Sequence, residues 1–429
     1  MSQFKTSNLF LIFWISSFNF IRITSESIGS CSSSFHFSRK LGLILPINRQ
    51  NDANILVLVR NVERLANNVS NPVTVVLQRQ KLDITDRQMF IFDAANQFCE
   101  LRKSNADIVI PYKLDIATDV VQSSCKWYAV PCILTHNSDD SSSPPSSMTI
   151  NISPKISNAI FDYILKLGWD SFIFIYNRVP RHMTLSDILN FGVKNRIRVT
   201  IVDTDSKILK NKDFGSRVWS ITCDGERNFV IDMPNSRQTW DRFIYLQNIG
   251  VMTAGFNYLI IDPDIIWSFG KSVQFGRKFA EGGANITAVT LSEDTDVNTH
   301  EQNILKDSID LVYKAYKSMC DNNNPMSDNV FFRARRSKTT GTVSNQSPLF
   351  YDRSNNCTTD PKPEERTYGN RLVSALKNKT FKGKSGLVRF DPYGRRVNFT
   401  VRFLTAFPIE GVTSWQTVFE SLVYRPYSN

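Results

Sequence analysis

The amino-acid sequence predicts an α/β fold built from mainly parallel sheets that are flanked by helices. Two observations predict it. Short apolar runs alternate along the chain with stretches whose apolar residues recur at helical spacing, and a polar, Ser/Pro-rich segment separates two such series. Strands that alternate with helices form βαβ units and therefore parallel sheets. With 429 residues, 41% of them hydrophobic, the chain is long enough for two or three compact units.

The first third of the chain carries apolar runs of strand length and two amphipathic stretches. The predicted strands are residues 55–59, 73–77, 106–111 and 130–134. The predicted helices are residues 86–102 and 119–127. Helical spacing assigns the buried face of the first helix to five residues: Met89, Phe92, Ala95, Phe98 and Leu101. The polar residues 136–147, HNSDDSSSPPSS, predict a linker.

A second series of helices and strands follows the linker. Ser153 is the predicted N-cap of a helix that has Pro154 at its first position and ends at Gly168. Gly250 is the predicted end of another helix. The remaining predicted elements are helices at residues 185–194 and 238–249 and strands at residues 172–176, 198–202 and 258–261.

The last third of the chain combines helices, a loop and strands. Apolar residues at helical spacing predict a helix over residues 301–319. Residues 321–356 lose this periodicity and predict a long flexible loop. Beyond a short predicted helix at residues 369–376, two strand-like runs, 387–390 and 397–403, flank the sequence Asp-Pro-Tyr-Gly, which is typical of a type I turn. These runs predict a β-hairpin.

The amino terminus is predicted to be a signal peptide that covers residues 1–27. The apolar residues 9–21 follow Lys5, precede small and polar residues, and are too few to span a bilayer. An uncleaved anchor is the alternative interpretation. Asn-x-Ser/Thr triplets agree with a secretory route, and their asparagines are predicted to be exposed glycosylation sites: Asn68, Asn151, Asn285, Asn345, Asn356, Asn378 and Asn398.

Charge and motif content exclude several classes of protein. The 51 Lys and Arg residues outnumber the 40 Asp and Glu residues, but they are spread along the chain, so we expect no nucleic-acid partner. No GxSxG, GxxxxGK[ST], GxGxxG or HExxH motif occurs, so we predict no enzymatic activity and no cofactor. Beyond the amino terminus no apolar run is long enough to cross a membrane, so contact with a membrane would require a missing downstream region.

The seven cysteines are expected to pair in part if the chain is secreted. An odd number leaves at least one cysteine free or available for an intermolecular bond. No two cysteines have CxxC spacing and the four histidines are scattered, so we predict no metal site. Local pairing of Cys125 with Cys132 stays open, because a helix-to-strand turn separates them.

Near the carboxyl terminus the chain resembles a known family. Residues 381–400 read FKGKSGLVRFDPYGRRVNFT. This segment is similar to a pattern in the amino-terminal domains of AMPA- and kainate-type ionotropic glutamate receptors, with a G-x-[ST]-G start, an F-D-x-x-G turn and an N-x-T triplet. Similar segments follow the family order at residues 98–101, 117–134, 158–176 and 249–259. Several of them also resemble the ectodomains of receptor guanylyl cyclases.

This resemblance implies a bilobed clamshell of the type I periplasmic-binding-protein superfamily. Each lobe would be a mainly parallel sheet flanked by helices and built from discontinuous segments, because the chain of these proteins crosses between the lobes three times. The upper lobe would contain residues 41–147 and 264–364. The lower lobe would contain residues 148–263 and 365–425.

The resemblance also implies one disulfide pair and a cleft between the lobes. The family joins a cysteine of an early helix to one just before a late helix, and Cys99 and Cys357 occupy those positions. A cleft between the lobes would be lined near Thr118, Asp119 and Tyr176. Thr118 is the one hydroxyl residue in the segment that supplies ligand contacts in relatives.

The function implied is that of an extracellular amino-terminal domain of an ionotropic glutamate receptor-like protein, secreted or on the outer face of the plasma membrane. In that family the domain directs subunit dimerisation and assembly through upper-lobe helices and modulates a ligand-gated channel. Homologous subunits are therefore the expected partners, and an extracellular protein or a small molecule is a further one. Exposed apolar residues on the helices near 86–102 and 117–127 would mark the dimer surface. The alternative is a small-molecule or peptide sensor of the guanylyl cyclase or metabotropic receptor type.

Overall fold

The structure is a computed structural model, and it describes the following residues: 40–47, 74–81, 87–104, 106–112, 117–135, 147–177, 182–204, 211–233, 236–262, 282–291, 300–321, 360–361, 363–409 and 412–423. The signal peptide, the strand at residues 55–59 and the loop at residues 321–356 are predictions that lie outside this part of the chain. Asp321 is the exception: it is the first residue of the predicted loop, and in the structure it ends a helix.

The described elements alternate between strand and helix over most of the chain. The strands are β1 Lys40–Ile47, β2 Thr74–Lys81, β3 Ile108–Pro111, β4 Cys132–Leu134, β5 Thr149–Asn151, β6 Ser171–Tyr176, β7 Arg198–Asp203, β8 Asn228–Asp232, β9 Asn257–Ile260, β10 Asn285–Thr290, β11 Phe381–Gly383, β12 Gly386–Val388, β13 Phe399–Ile409 and β14 Val412–Val423. The helices are α1 Arg87–Lys103, α2 Thr118–Tyr128, α3 Ser157–Lys166, α4 Leu185–Asn195, α5 Asn211–Cys223, α6 Ser236–Asn248, α7 His300–Asp321 and α8 Pro363–Lys377.

Two large sheets organise the chain. The first has the strand order β2-β1-β3-β4-β5 and is parallel throughout. The second has the order β14-β13-β10-β9-β8-β6-β7; its five strands from β10 to β7 are parallel, and β13 and β14 join antiparallel. We call the first sheet with its helices the upper lobe and the second the lower lobe. The predicted α/β class with mainly parallel sheets is confirmed.

Helices cover both faces of each sheet. Successive side chains of a strand point to opposite faces, so the residues of one strand join two different cores. In β1, Leu41 and Leu43 join the core that contains α7 and α8, whereas Ile44 joins the core that contains α1 and α2. In β6, Phe174 faces α3 and α4, whereas Ile173 faces α5 and α6. Both faces of a strand are therefore apolar, as expected for parallel sheets covered by helices.

The buried face of α1 differs from the predicted one. Ala94, Phe98 and Leu101 are buried at positions i, i+4 and i+7, whereas Phe92 is 70% exposed. Nine residues separate Phe92 from Leu101, which is two and a half helical turns, so their side chains point in opposite directions. Phe92 was included in the predicted stripe because its spacing fits Ala95 and Phe98 locally.

The predicted start of α3 is wrong, whereas its predicted end is confirmed. The helix begins at Ser157, and Ile156 occupies the cap position without a side-chain cap hydrogen bond. The amide of Ser153 donates instead to Oδ1 of Asn151 at 3.1 Å, so this residue belongs to a turn that precedes the helix. Gly168 has φ of +68°, the left-handed conformation that ends a helix.

Several elements lie in a different lobe from the one predicted. Strand β5 follows the linker but pairs with β4, so the chain leaves the upper sheet after Asn151. Strand β10 pairs with β9 of the lower sheet. Helix α8 packs through Leu372 and Leu376 into the upper-lobe core. The boundary after residue 147 failed because a polar segment marks exposed chain and carries no information about which sheet the next strand joins. The other two boundaries rested on the family resemblance and not on a local signal.

The predicted hairpin near residue 391 is correct in its turn and wrong in its strands. The amide of Gly394 donates to the carbonyl of Asp391 at 2.9 Å, and φ of Gly394 is +80°. Strand β12 pairs with β11, however, and β13 pairs with β10 and β14. A single bridge between Phe390 and Arg396 joins the two sides of the turn. None of the helices in the described ranges has both the length and the hydropathy required to cross a membrane.

Candidate functional site

The sequence-predicted cleft residues lie where parallel strands end. Tyr176 is the last residue of β6 and is largely buried. Thr118 and Asp119 open α2, the helix that follows β3; Thr118 is buried and Asp119 is exposed. Ligands of open parallel sheets bind at the carboxyl ends of the strands. Tyr176 therefore lies at the appropriate edge of the lower-lobe sheet, and Thr118 and Asp119 begin a helix of the upper lobe.

Neighbouring strands bring acidic residues beside Tyr176. The register pairs Tyr176 with Asp203 of β7 on one side and with Asp232 of β8 on the other. Residues in register point to the same face of a sheet. Burial raises the pKa of the Tyr176 hydroxyl, and the negative charge of Asp203 raises it further. The lower-lobe edge therefore carries a neutral phenol between two carboxyl groups.

Asp232 is fully buried and anchors the segment before α4. Its Oδ2 accepts the backbone amides of His182 at 2.9 Å and of Met183 at 3.1 Å, and its Oδ1 lies 2.9 Å from Nδ1 of His182. A buried carboxylate needs such partners because its desolvation is costly. Asp232 thus fixes the His182 ring at the strand edge, an arrangement that sequence reasoning missed because 50 residues separate the pair.

Hydroxyl groups complete this edge. Thr239 of α6 donates to Oδ2 of Asp262, which follows β9, across 3.4 Å. The amide of Thr204 donates to the Tyr176 carbonyl at 2.8 Å, and the Thr204 hydroxyl is buried without a hydrogen-bond partner in the described part of the protein. Acceptor oxygens in this arrangement suit a ligand that brings N–H or O–H donors. No group of three or more His, Cys, Asp or Glu residues in the described segments could hold a metal ion.

A second polar cluster, the crossover cluster of Asp307, Ser385 and Arg396, lies where the chain passes between lobes. Asp307 of α7 is fully buried and accepts the amides of Lys384 at 2.6 Å and of Ser385 at 2.8 Å, and it also accepts the Ser385 hydroxyl. Residues 383–386, the G-x-[ST]-G segment, thus wrap around the Asp307 carboxylate. A Cβ atom at Gly383 would lie 2.5 Å from this carboxylate, which explains the glycine.

Arg396 completes the crossover cluster. Its guanidinium donates to the Ser385 hydroxyl at 2.7 Å, to the Ser385 carbonyl at 2.8 Å and to the carbonyl of Ile152 at 3.2 Å. Burial lowers the pKa of Arg396 to about 10, and the charge of Asp307 opposes that shift, so the side chain stays charged at neutral pH. Ile152 follows β5 and Arg396 precedes β13, so this cation joins two of the segments that connect the lobes.

The structure gives the pairing state of four cysteines. Cys99 is disulfide-bonded. Its predicted partner, Cys357, lies outside the described residues, so that pairing stays a prediction. Cys125 and Cys132 are both buried and free, so the local disulfide left open by the sequence is not formed. Burial raises the pKa of the Cys125 thiol well above its usual value, and its hydrogen bond with Cys132 adds to the shift. Cys223 is free and exposed.

The predicted glycosylation sites differ in exposure. Asn285 and Asn378 are exposed, as predicted. Asn151 and Asn398 are half-buried, contrary to the prediction, because Asn151 lies in β5 and Asn398 adopts a left-handed conformation with its Oδ1 buried. The other three asparagines lie outside the described residues: Asn68, Asn345 and Asn356.

Comparison with known proteins agrees with this architecture. Residues 75–405 match the family model described as the receptor family ligand binding region. The chain is also 22% identical over 351 residues to a protein named "Glutamate receptor" from Lymnaea stagnalis; the match covers 75% of this chain and 35% of that receptor. The chain thus spans about a third of the length of this relative. The family model covers more than half of the chain, so the chain belongs to the family described as the receptor family ligand binding region. Members of this family are extracellular ligand-binding domains with the type I periplasmic-binding-protein-like fold.

Proposed function

We propose that this chain is the extracellular amino-terminal domain of an ionotropic glutamate receptor-like protein, and that it pairs receptor subunits and modulates a ligand-gated channel. The observation that carries the proposal is a pair of exposed aromatic residues on the outer side of the upper lobe. Phe92 of α1 is 70% exposed and Trp127 of α2 is 60% exposed. These residues lie on neighbouring helices, and we call the two side chains together the aromatic face.

The two helices that carry the aromatic face pack against each other. The Phe98 and Tyr128 rings stack with centroids 5.8 Å apart, and the guanidinium of Arg102 lies 3.9 Å from the Tyr128 ring centroid, so α1 and α2 pack together. Phe92 lies six residues before Phe98, which is about 9 Å along a helix. Large exposed aromatic side chains on packed helices are typical of protein interfaces. A homologous subunit is the occupant we propose, since burial of both rings would then stabilise the pair.

Hydroxyl-radical footprinting at increasing protein concentration tests this assignment. We expect oxidation of Phe92 and Trp127 to fall severalfold as subunits associate, because their side chains become buried. Val193 of α4, which is 82% exposed on the lower lobe, provides the internal control and is expected to react equally at all concentrations. Equal oxidation of Phe92 and Trp127 at every concentration, in a sample that self-associates, would place the interface elsewhere.

A ligand sensor is the second candidate function, and the buried, unpartnered hydroxyl of Thr204 favours it. If an amino-acid ligand uses this hydroxyl, L-glutamate at about 100 times its dissociation constant would stabilise the fold by roughly 2.7 kcal/mol. We expect Thr204→Val to reduce the resulting thermal shift, whereas Thr200→Val in β7 would leave it unchanged. A melting temperature that does not respond to L-glutamate or to other amino acids would remove this candidate and leave the pairing role.

A further inference from the structure

A small pocket lies on the lower lobe at the end opposite to the cleft edge. It has a volume of about 160 Å³, and it opens between the carboxyl end of α3 and the amino ends of β9 and β10. Its lining includes aromatic, amide and hydroxyl side chains: Tyr163, Trp169, Asn257, Asn285, Thr287 and Thr405. An apolar cavity of roughly 150 Å³ holds one benzene ring, so the pocket accommodates one six-membered ring.

The lining has the chemistry that a sugar ring requires. The C–H face of a pyranose packs on an aromatic ring, and its hydroxyl and acetamido groups bond to amides and hydroxyls. Trp169 is half-buried, which leaves part of its ring available for contact. The Thr287 and Thr405 hydroxyls lie 3.2 Å apart and bond each other across β10 and β13. Together these groups favour a carbohydrate over a purely apolar ligand.

An amide ladder orients Asn285 at the edge of this pocket. Asn228, Asn257 and Asn285 occupy equivalent register positions on β8, β9 and β10. Asn285 donates to Oδ1 of Asn257 at 2.9 Å, and Asn257 donates to Oδ1 of Asn228 at 2.9 Å. Asn228 in turn donates to the carbonyl of Ser171 at 3.0 Å. Asn285 is therefore the first donor of the ladder, and no other asparagine of the ladder donates to it.

Asn285 also begins the triplet Asn-Ile-Thr, and its Nδ2 carries two hydrogen atoms. The ladder uses one of them. N-glycosylation transfers the sugar from a lipid-linked diphosphate donor: the bond between Nδ2 and C1 of N-acetylglucosamine forms, the C1–O bond to the diphosphate breaks, and the lipid diphosphate leaves. The second Nδ2 proton passes to a base of the transferring enzyme. The product is a secondary amide that still donates to Asn257. Modification is therefore compatible with the ladder, which would hold the linkage in one orientation.

We propose that Asn285 carries an N-linked glycan whose first N-acetylglucosamine occupies this pocket against Trp169 and stabilises the lower lobe. The proposal rests on the extracellular location given above, because the modification requires the secretory route. The sugar would cover the amino ends of β9 and β10, where strand backbone lies close to solvent. The glycan thus acts as a structural element of this lobe in addition to increasing solubility.

The test uses the full chain secreted from eukaryotic cells, with peptide mass spectrometry at Asn285. An endoglycosidase that leaves one N-acetylglucosamine on each site is expected to preserve the melting temperature. Trp169→Ala is expected to lower it by about 2–4 °C more in this single-sugar protein than in unglycosylated protein from the bacterial periplasm. Asn285→Gln is expected to show the same excess loss in the secreted protein, whereas Asn378→Gln, at the other exposed site, shows none.

Three outcomes would overturn the proposal that the first sugar at Asn285 occupies the pocket. Equal losses for Trp169→Ala and Asn285→Gln in glycosylated and unglycosylated protein would overturn the pocket assignment, because the residues would then act through packing and the ladder alone. Glycans at Asn378 or Asn398 with none at Asn285 would overturn it as well, and would leave the extracellular assignment intact. A secreted chain without glycans at any triplet would also overturn the proposal, whereas its secretion would leave the extracellular assignment intact.

Discussion

Replacing Asp307 with alanine is expected to lower the free energy of unfolding by about 3–5 kcal/mol, the largest loss that we predict for a single polar side chain. The carboxylate is fully buried and accepts two backbone amides and the Ser385 hydroxyl. Its removal leaves the buried charge of Arg396 without its acidic neighbour and leaves the amides of Lys384 and Ser385 unpaired. Both losses act at the segments that connect the lobes, so loss of cooperative folding is part of the expected result.

Two variants on α7 control this prediction. Asp307→Asn keeps an acceptor oxygen and removes the charge, so we expect a smaller loss than for alanine. Asp310→Asn removes a carboxyl group three residues away. Burial, and next the charge of Asp307, raise the pKa of Asp310. The folded protein therefore loses stability as pH rises through that raised pKa, because Asp310 must then be charged. We expect the free energy of unfolding of Asp310→Asn to be at least as large as that of the natural chain at neutral pH.

Denaturant unfolding followed by circular dichroism measures all three variants. Curves for Asp307→Ala and the natural chain that differ by less than about 1 kcal/mol would show that the crossover cluster does not hold the connecting segments together. A similar loss for Asp310→Asn at neutral pH would show that general disturbance of α7, and not the loss of the Asp307 partners, causes the effect.

The fold class could be predicted from the sequence because alternating strands and helices leave a local pattern. The strand at residues 172–176 and the helix ends at Gly168 and Gly250 can each be recognised from residues that are close in the sequence. Helix α5 was missed because Gly215 lies near its start, and glycine disfavours helices. The structure explains this glycine, since a Cβ atom there would lie 2.6 Å from the Tyr245 ring.

Strand partners and buried polar pairs could not be predicted, because they join residues far apart in the chain. Asp307 and Ser385 are separated by 78 residues, and no local spacing connects them. The same holds for Asp232 and His182 at the cleft edge. The family resemblance predicted a cleft near Tyr176, Thr118 and Asp119 but gave no indication of the acidic residues beside Tyr176. Three-dimensional register was needed to bring Asp203 and Asp232 to that position.

Replacing both aromatic residues of the aromatic face with glutamate is expected to separate the paired subunits. Large aromatic residues at the centre of an interface contribute about 2 kcal/mol or more each, and a buried glutamate adds a desolvation cost. We therefore expect Phe92→Glu with Trp127→Glu to raise the dimer dissociation constant on the order of 100-fold or more. Folding should be unaffected, because both side chains are mostly exposed in the single chain. Val193→Glu on the lower lobe is the matched control.

Sedimentation velocity of the secreted domain over a wide concentration range tests the proposed function most directly. A receptor domain that pairs through its aromatic face gives a concentration-dependent dimer for the natural chain and for Val193→Glu, and a monomer for the Phe92→Glu, Trp127→Glu variant. A natural chain that sediments as a monomer at every concentration, or a dimer that survives both substitutions, would contradict it.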